Sequence, residues 1–510
     1  MNKKLTTLII MDGFGVPQDK TRSGIIDENT KNINELIKNN AYATLRASEE
    51  YVGLPAGQAG TSEVGHMTIG SGRVTYQPLV RINKEIENKE FFKNETLNWA
   101  IDEAKKNKKA LHLIGMPSDG GIHSHINHLF ALLDLCKQKD FKDVYIHFIG
   151  DGRDTPPKSA KKYLKQVEDY IKSCGVGKLA TIIGRFYALD RDKNWDRNQI
   201  AYDAWVDGKG EYFKDWNEAI DAAYDKGETD EFIKPIILTR CNKPIVKIKE
   251  NDYVISYNFR ADRERQLAYV MVEDNDLSFV KKLNLNFVTM TEYDENFTKV
   301  KIAYQTESSQ NLLSEVLSNA GLKQVKIAET EKYAHLTFFF NSGKQDTFEG
   351  EERVLINSEK MASYANKPEM SAEQITTKVL EAIDSNKYDF IAINFANCDM
   401  VGHSGNLDAA RKATEVVDKC VKQVVDAVVA KGGQGIITAD HGNADIMQYE
   451  DGSPNTAHTT AIVPFILFTG KTTDLKVRKE GTLADIAPTL LEMMGIEKPV
   501  EMTGTSMIEK

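Results

Sequence analysis

The sequence predicts an α/β protein of two α/β domains, and three observations carry that prediction. Short apolar runs alternate with longer helical patterns along almost the whole chain, as parallel sheets with covering helices require. Most of those runs lack strict alternation of apolar and polar residues, so both faces of each sheet are expected to be covered. At 510 residues the chain also exceeds what one hydrophobic core usually organises.

Taken along the chain, the runs that read as strands are TTLIIM (6–11), LHLIG (111–115), VYIHFIG (144–150), LATIIG (179–184), YVISYNF (253–259), NFVTM (286–290), FIAINF (390–395), GIIT (435–438) and FILF (465–468). Helical patterns are clearest at 160–172 and at 408–430, which opens at Asp408 and stops at Gly432 and Gly433. Several strands end in a residue capable of chemistry. Asp12 follows the first, Asp399 follows FIAINF, and Asp440 with His441 follows GIIT. In the middle of the chain His123 follows LHLIG, Arg153 and Asp154 follow VYIHFIG, Arg185 follows LATIIG, and Arg260 and Arg263 follow YVISYNF. Ligands of open α/β sheets bind at the carboxyl ends of strands, so two sites on two sheets are expected.

Composition narrows the partners. The net charge of -10, from 75 acidic and 65 basic residues, argues against nonspecific binding to nucleic acid or anionic membranes. The apolar start of the chain is interrupted by Asp12 and does not read as a signal peptide, and no run approaches the roughly 20 apolar residues that span a bilayer. Five scattered cysteines without a CxxC pair fit a reducing compartment, and Cys420 on the stripe Val417, Val421, Val424, Val428 reads as a core thiol. A soluble, cytoplasmic monomer acting on a small molecule is the expectation.

Histidine, aspartate and serine gather in MDGFG (11–15), TSEVGH (61–66), CDMVGH (398–403), ADHGN (439–443) and NTAHTT (455–460). Carboxylate oxygen with imidazole nitrogen suits manganese, zinc or a related divalent ion. Asp399 and His403, four apart, share a face if their segment is helical. Each piece alone has a plainer reading: a surface pair, a turn at Asp-His-Gly-Asn, a core histidine at His458, a capping role for Asp12. Their joint placement favours a metal site. Ser62 lies in the Gly-rich stretch LPAGQAGTSEVGHMTIGSG, where SEVGH begins a helix, and reads as an N-cap, as a nucleophile, or as both. No histidine of known geometry is at hand to activate it, so activation is expected from a metal.

A second group of motifs, GIHSH (121–125), GDGRDTPP (150–157), GRFYALDRD (184–192) and NFRADR (258–263), concentrates arginine in an acidic chain. Arg153, Arg185, Arg191, Arg260 and Arg263 could together hold a small, multiply charged anion in bidentate fashion. Arg260 and Arg263, three apart, face one spot if helical. Asp154 reads as a turn residue or an acid/base group, and Lys332 in EKYAH as a surface lysine or a site residue.

Together these motifs make the chain similar to the cofactor-independent phosphoglycerate mutases, whose core belongs to the alkaline phosphatase superfamily. With EKYAHLTFFF added, they stand in the family's order along nearly the whole length. The resemblance implies an alkaline-phosphatase-like metal domain, 1–76 with 311–510, interrupted by an inserted substrate-binding domain, 77–310. It implies two Mn(2+), one held by Asp12, Ser62, Asp440 and His441 and the other by Asp399, His403 and His458. His123, Arg153, Asp154, Arg185 and Arg191 then resemble the glycerate-binding and acid/base set, with Asp154 moving protons. Arg260, Arg263 and Lys332 resemble phosphate-binding groups, Lys332 being catalytic along with Ser62 and Asp154. The implied reaction interconverts 3-phosphoglycerate and 2-phosphoglycerate, a step of glycolysis and gluconeogenesis. It passes through a phosphoserine at Ser62 without 2,3-bisphosphoglycerate, with the inserted domain closing over the metal domain. Two rivals remain open: a metal-dependent phosphohydrolase or other phosphomutase, which would not need the full arginine set, and a non-catalytic phosphoglycerate-binding protein. The chain departs from the family's pattern at Cys398, where glycine or proline is common, and at Leu189, where methionine is expected.

Overall fold

The computed structural model describes residues 4–281, 283–305, 310–470 and 475–509. The chain divides into two compact units, Met1–Gln77 with Glu307–Lys510 and Pro78–Thr306, each an α/β layer structure around its own sheet.

In the first unit the strands run in the order Glu351–Ile356, Gln324–Glu329, Phe390–Phe395, Thr6–Met11, Gln434–Thr438, Val463–Thr469, Ala41–Arg46, Glu480–Thr482. Thr6–Met11 is central, fully buried, and parallel to both Phe390–Phe395 and Gln434–Thr438. Burial on both faces is why its sequence is apolar without alternation. Val463–Thr469 runs antiparallel to Gln434–Thr438 and to Ala41–Arg46, so the loop that precedes it arrives at the end where its parallel neighbours finish. That end therefore receives Asp12, Asp399, Asp440 and His441 from after strands and His458 from before one. The long helix Leu407–Ala430 is capped by the Asn406 side chain on Ala409 N–H at 3.0 Å and buries Val417, Cys420, Val421, Val424 and Val428. Cys420 is thus a core thiol.

In the second unit the order is Val300–Tyr304, Asn286–Thr291, Tyr253–Ser256, Leu111–Gly115, Val144–Gly150, Lys178–Gly184, Ile236–Arg240, Glu211–Phe213. The neighbouring pairs in this order are parallel except Lys178–Gly184 with Ile236–Arg240, and the short strand Lys243–Pro244 also pairs antiparallel with Ile236–Arg240. The predicted strand 253–259 stops at Ser256. Beyond it Asn258 turns inward, where its Oδ1 accepts from Met116 N–H at 2.9 Å.

Several strands were not legible in sequence. The clearest is Gln324–Glu329, which is wholly buried although it carries Gln324, Lys326 and Glu329. Lys326 Nζ donates to Asn341 Oδ1 at 2.7 Å and lies 3.2 Å from Glu351 Oε1, so local pairing offsets the cost of burial and hides the apolar signal. This strand leads into the short helix Thr330–Ala334, which carries Lys332, and then into a π-helical turn, His335–Phe339. Among the described residues no helix is long and apolar enough to cross a membrane.

Candidate metal centre and arginine cluster

Ser62 opens the helix Ser62–Ser71, but the cap is Thr61, whose hydroxyl accepts from Val64 N–H at 3.4 Å. The N-cap reading of Ser62 is therefore replaced: as the first helical residue it keeps its hydroxyl free of capping. The Ser62 hydroxyl lies 3.2 Å from Asp12 Oδ1 and 2.9 Å from His441 Nε2, and it accepts from Lys332 Nζ at 2.6 Å. A histidine does stand within reach of the hydroxyl, which the sequence did not reveal. The helix can sit this close to the Asp440 loop because residue 65 is glycine; a Cβ there would stand 2.6 Å from the Asp440 carbonyl oxygen. Ser62 also lies at the positive end of the helix dipole, worth roughly half a charge.

Three carboxylates, Asp12, Asp399 and Asp440, are buried around this hydroxyl. Lys332 is no surface lysine: it is 3% exposed, with Nζ 2.7 Å from Asp12 Oδ1 and 2.6 Å from Asp399 Oδ2. Burial pushes Asp12 and Asp399 upward, but the Lys332 ammonium and the neighbouring histidines outweigh it and hold both well below the usual carboxylate range. Against its own burial, Lys332 is held above its ordinary value by Asp12, Asp399 and Asp440. One ammonium does not balance three carboxylates. The surplus draws a proton onto His441, where burial opposes protonation but Asp440, Asp12 and Asp399 push the imidazole up to about 10.

The remaining candidates fall into the same cluster. Asp399 lies on the one-turn helix Asn397–Gly402, and His403 Nε2, four residues on, is 3.3 Å from Asp399 Oδ1. His458 Nε2 is 3.1 Å from both Asp399 Oδ1 and His403 Nε2. Two groups have ligand atoms within 4.8 Å of one another: Asp399, His441 and His458, and Asp12, His66 and Asp440. His441 lies between them, 3.5 Å from Asp12 Oδ1 and 3.9 Å from Asp399 Oδ1. Asp440 Oδ2 is buried and accepts no hydrogen bond: His66 Nδ1 stands 3.2 Å away but bonds the Ser62 carbonyl at 2.8 Å. Surplus buried negative charge, an orphaned carboxylate oxygen and convergent imidazoles fit divalent cations.

The arginine motifs converge within the second unit. Arg185, 3% exposed, donates to Asp151 Oδ1 at 2.7 Å, to Asp154 Oδ2 at 2.6 Å and to His123 Nε2 at 2.8 Å. Accepting at Nε2 fixes the imidazole as the Nδ1–H tautomer, and that Nδ1–H is buried with no hydrogen-bond partner. Burial, then Arg185 and Arg260, push His123 down to about 4. The turn role weighed for Asp154 belongs instead to Asp151, whose Oδ1 accepts from the backbone of Arg153 and Asp154 at 3.2 and 3.0 Å. Asp154 is left with its carboxylate on Arg185.

Arg263 donates to the Leu189 carbonyl at 2.9 Å, and burial, then the charges of Arg185, Arg191 and Arg153, hold it below its ordinary value. Arg260 does not share a helix face with Arg263. It is the N-cap of Ala261–Val272, and Arg260 and Arg191 instead flank Asp262 at 2.9 and 3.1 Å. Arg153 reaches Glu231 at 3.7 Å.

Comparison with known proteins bears on this geometry. Residues 82–295 match the family model described as the BPG-independent PGAM N-terminus. The chain is 50% identical to the 2,3-bisphosphoglycerate-independent phosphoglycerate mutase of Clostridium tetani over the whole of both chains, and 48% identical to that of Moorella thermoacetica over 99% of this chain and 98% of the relative. The chain belongs to the 2,3-bisphosphoglycerate-independent phosphoglycerate mutases. A crystal structure of Leishmania mexicana phosphoglycerate mutase, determined at low cobalt concentration, matches 100% of this chain and 98% of its own at 28% identity and a TM-score of 0.54. The chain is thus an isomerase, a mutase that moves a phosphoryl group.

The residues of these two clusters that sequence reasoning missed are His66, Asn394, Asn443 and Asp151. His66 stands one helical turn beyond Ser62, with Nδ1 3.2 Å from Asp440 Oδ2, a spacing TSEVGH displays. Asn394 Nδ2 donates to Asp12 Oδ2 at 2.8 Å, and Asn443 Nδ2 to Asp399 Oδ1 at 2.8 Å. Asn394 lies inside a strand and carried no sequence signal. Cys398 and Leu189, the two departures from the family's pattern, are both fully buried.

Proposed function

We propose that the protein interconverts 3-phosphoglycerate and 2-phosphoglycerate through a phosphoserine at Ser62, with two manganese ions and without 2,3-bisphosphoglycerate. In the cell this is a cytoplasmic step of glycolysis and gluconeogenesis. The observation that carries the proposal is the Ser62 hydroxyl, first in its helix and within hydrogen-bond reach of Asp12, His441 and Lys332. Asp12, Ser62, Asp440 and His441 would hold one ion and Asp399, His403 and His458 the other, with His66 beside the first. The ions supply a lowered serine pKa and charge neutralisation at the phosphoryl oxygens.

The chain's own groups do the rest. Lys332 donates to Ser62 Oγ and stabilises the developing alkoxide, and the helix N-terminus favours the phosphoryl charge. Formation of the Ser62 O–P bond breaks the bond from phosphorus to one glycerate oxygen; the second half-reaction reverses this toward the other oxygen. With the Ser62 proton given up to solvent before the cycle, as loading of the ions would require, Asp154 enters protonated, gives its proton to the oxygen that loses the phosphoryl group and takes one from the oxygen that gains it, so the cycle is proton-neutral. Arg185 positions Asp154. Arg153, Arg191, Arg260 and Arg263 bind the anionic ends of the substrate, and the Nδ1–H of His123 is a donor to it. Retaining the glycerate between half-reactions is what separates a mutase from a hydrolase.

The test follows phosphorus by NMR with 3-phosphoglycerate and Mn(2+), free of bisphosphoglycerate. Conversion to 2-phosphoglycerate without free phosphate is expected, falling at least about a thousandfold in Ser62→Ala. Undiminished isomerisation by that variant would sink the phosphoserine. Free phosphate as the main product would make the protein a hydrolase.

A further inference from the structure

Asp445 is a carboxylate outside the proposed ligand set. It is 1% exposed, and among the described residues no lysine or arginine pairs with it. An uncompensated buried carboxylate is costly, so its surroundings need an explanation. Both of its oxygens face the Thr459 hydroxyl, at 2.9 and 2.8 Å. Thr459 follows His458 directly, and its N–H donates to the Gly442 carbonyl at 3.0 Å, an isolated antiparallel bridge next to His441. Asp445 thus joins the loop of Asp440 and His441 to the loop of His458, whose rings stack at 4.0 Å and 19°.

The backbone is built around this carboxyl. A Cβ at Gly15 would stand 2.3 Å from Asp445 Oδ1, and one at Gly442 would stand 2.7 Å from the same oxygen and 2.3 Å from Thr459 Oγ1. Gly15 belongs to the loop of Asp12, which is also tied in from the other side: the N–H groups of Asn443 and Ala444 donate to the Gly13 carbonyl at 3.0 and 3.1 Å. Three loops carrying Asp12, Asp440 with His441, and His458 therefore meet at one carboxyl, and two glycines leave room for it.

We propose that Asp445 is a positioning residue. Its hydrogen bond to Thr459 latches the His441 and His458 loops together and so presets the imidazoles for the metal ions. The latch rests on the reading of Asp440, His441 and His458 as ligands. It acts through the hydrogen bond rather than through charge, so an asparagine of the same length preserves it. Partners that orient metal ligands typically contribute 10- to 100-fold in affinity.

The experiment measures Mn(2+) binding by calorimetry on the full chain, alongside the melting temperature of the metal-free protein. Asp445→Ala and Thr459→Val should each weaken Mn(2+) binding about 10- to 100-fold. Asp445→Asn and Thr459→Ser should stay within about threefold of the parent, and the Asp445→Ala/Thr459→Val double variant should be no weaker than the weaker single one, as expected of one coupled contact. Parent-like Mn(2+) affinity in Thr459→Val, a near-isosteric change that keeps the fold even if Asp445→Ala does not, overturns the latch. So does a loss of affinity in Asp445→Asn equal to that in Asp445→Ala. Failure of the parent chain itself to bind Mn(2+) would strike the ligand reading first and remove the latch with it.

Discussion

The two units place their chemistry at the same topological position, the carboxyl ends of parallel strands, and give it opposite character. In the first unit the groups are acidic, enclosed and fixed from several sides: Asp12, Asp399 and Asp440 are at most 2% exposed and share one buried ammonium. In the second the groups are basic, and several reach outward: the side chains of Arg153, Arg191 and Arg260 are 56, 46 and 48% exposed, resting on Glu231 or Asp262. Surface ion pairs of that kind contribute about 0–1 kcal/mol each, so an arriving anion displaces them at small cost. A centre that keeps cations is built closed. The arginine cluster, proposed to take up and release a charged metabolite, is built from exchangeable pairs around one buried anchor, Arg185.

If this contrast is right, the largest effect comes from the closed side. Lys332→Met removes a donor to Ser62 and the ammonium that contacts Asp12 and Asp399; kcat should fall about 10²- to 10³-fold, with Mn(2+) still bound. Steady-state kinetics beside metal analysis checks this, and a purely KM effect would contradict the assignment. On the open side, Arg191→Lys or Arg153→Lys keeps the charge but loses the planar fork. KM for phosphoglycerate should rise about tenfold with Mn(2+) affinity unchanged. Altered metal binding in these variants would erase the distinction between the two centres.

The units should also differ in their response to pH, to a lesser degree. His441 in the metal-free protein is raised to about 10, so its contribution to stability is complete below about pH 6.5 and is lost as pH rises through about 10. His123, lowered to about 4, and His128, lowered to about 3, are both pushed down chiefly by burial. For them the unfolded chain binds protons first, so stability is complete above about pH 6.5 and declines as pH falls toward 4. Hydrogen exchange in chelator, read on the peptides around His441 and on those around His123 and His128, should show the first loosening as pH rises through about 10 and the second as pH falls from about 6.5 toward 4.

The smallest effect isolates the histidines. Glu264 is buried and pushed up to about 7, against hydrogen bonds from Asn258 and Ser256, so its contribution is complete below the ordinary glutamate value and is lost as pH rises through 7, opposite in sign. Glu264→Gln should make the acid loss of the second unit steeper than in the parent. An unchanged slope would show that Glu264 does not titrate there.

Much of this arrangement was readable in advance for a physical reason. The central strands are apolar because both faces are covered, and their ends are punctuated by aspartate, histidine and arginine because that is where backbone leaves the ladder. What escaped reading was set by contacts distant in sequence. Ser62 reads as the cap in sequence, and only the observed helix start gives that place to Thr61. Lys332 looks like any helical lysine until Asp12 and Asp399 close around it. Lys326 interrupts an apolar pattern, and only Glu351 and Asn341 explain its burial. Arg260 and Arg263 have the spacing of helical neighbours, yet the helix begins between them.

The reversed strand Val463–Thr469 has a consequence for how this fold tolerates change in length. Because it runs against Gln434–Thr438, the segment from Ala439 to Ile462 is a hairpin connection, with Asp440 and His441 at its start and His458 near its end in two stretches joined by the Gly442–Thr459 bridge. Residues added in those stretches shift His441 relative to His458. The turn at Gly432, where a side chain would meet nothing within 4 Å, lies at the opposite end of the same strand pair. A tag or a new pair of chain ends at Gly432 should leave the distances among the proposed ligands intact. The same alteration beside His441 or His458, within 439–447 or 455–462, should not, whereas the exposed turn at Gly452, closed off by the Gln448–Pro454 bridge, offers the same open space as Gly432.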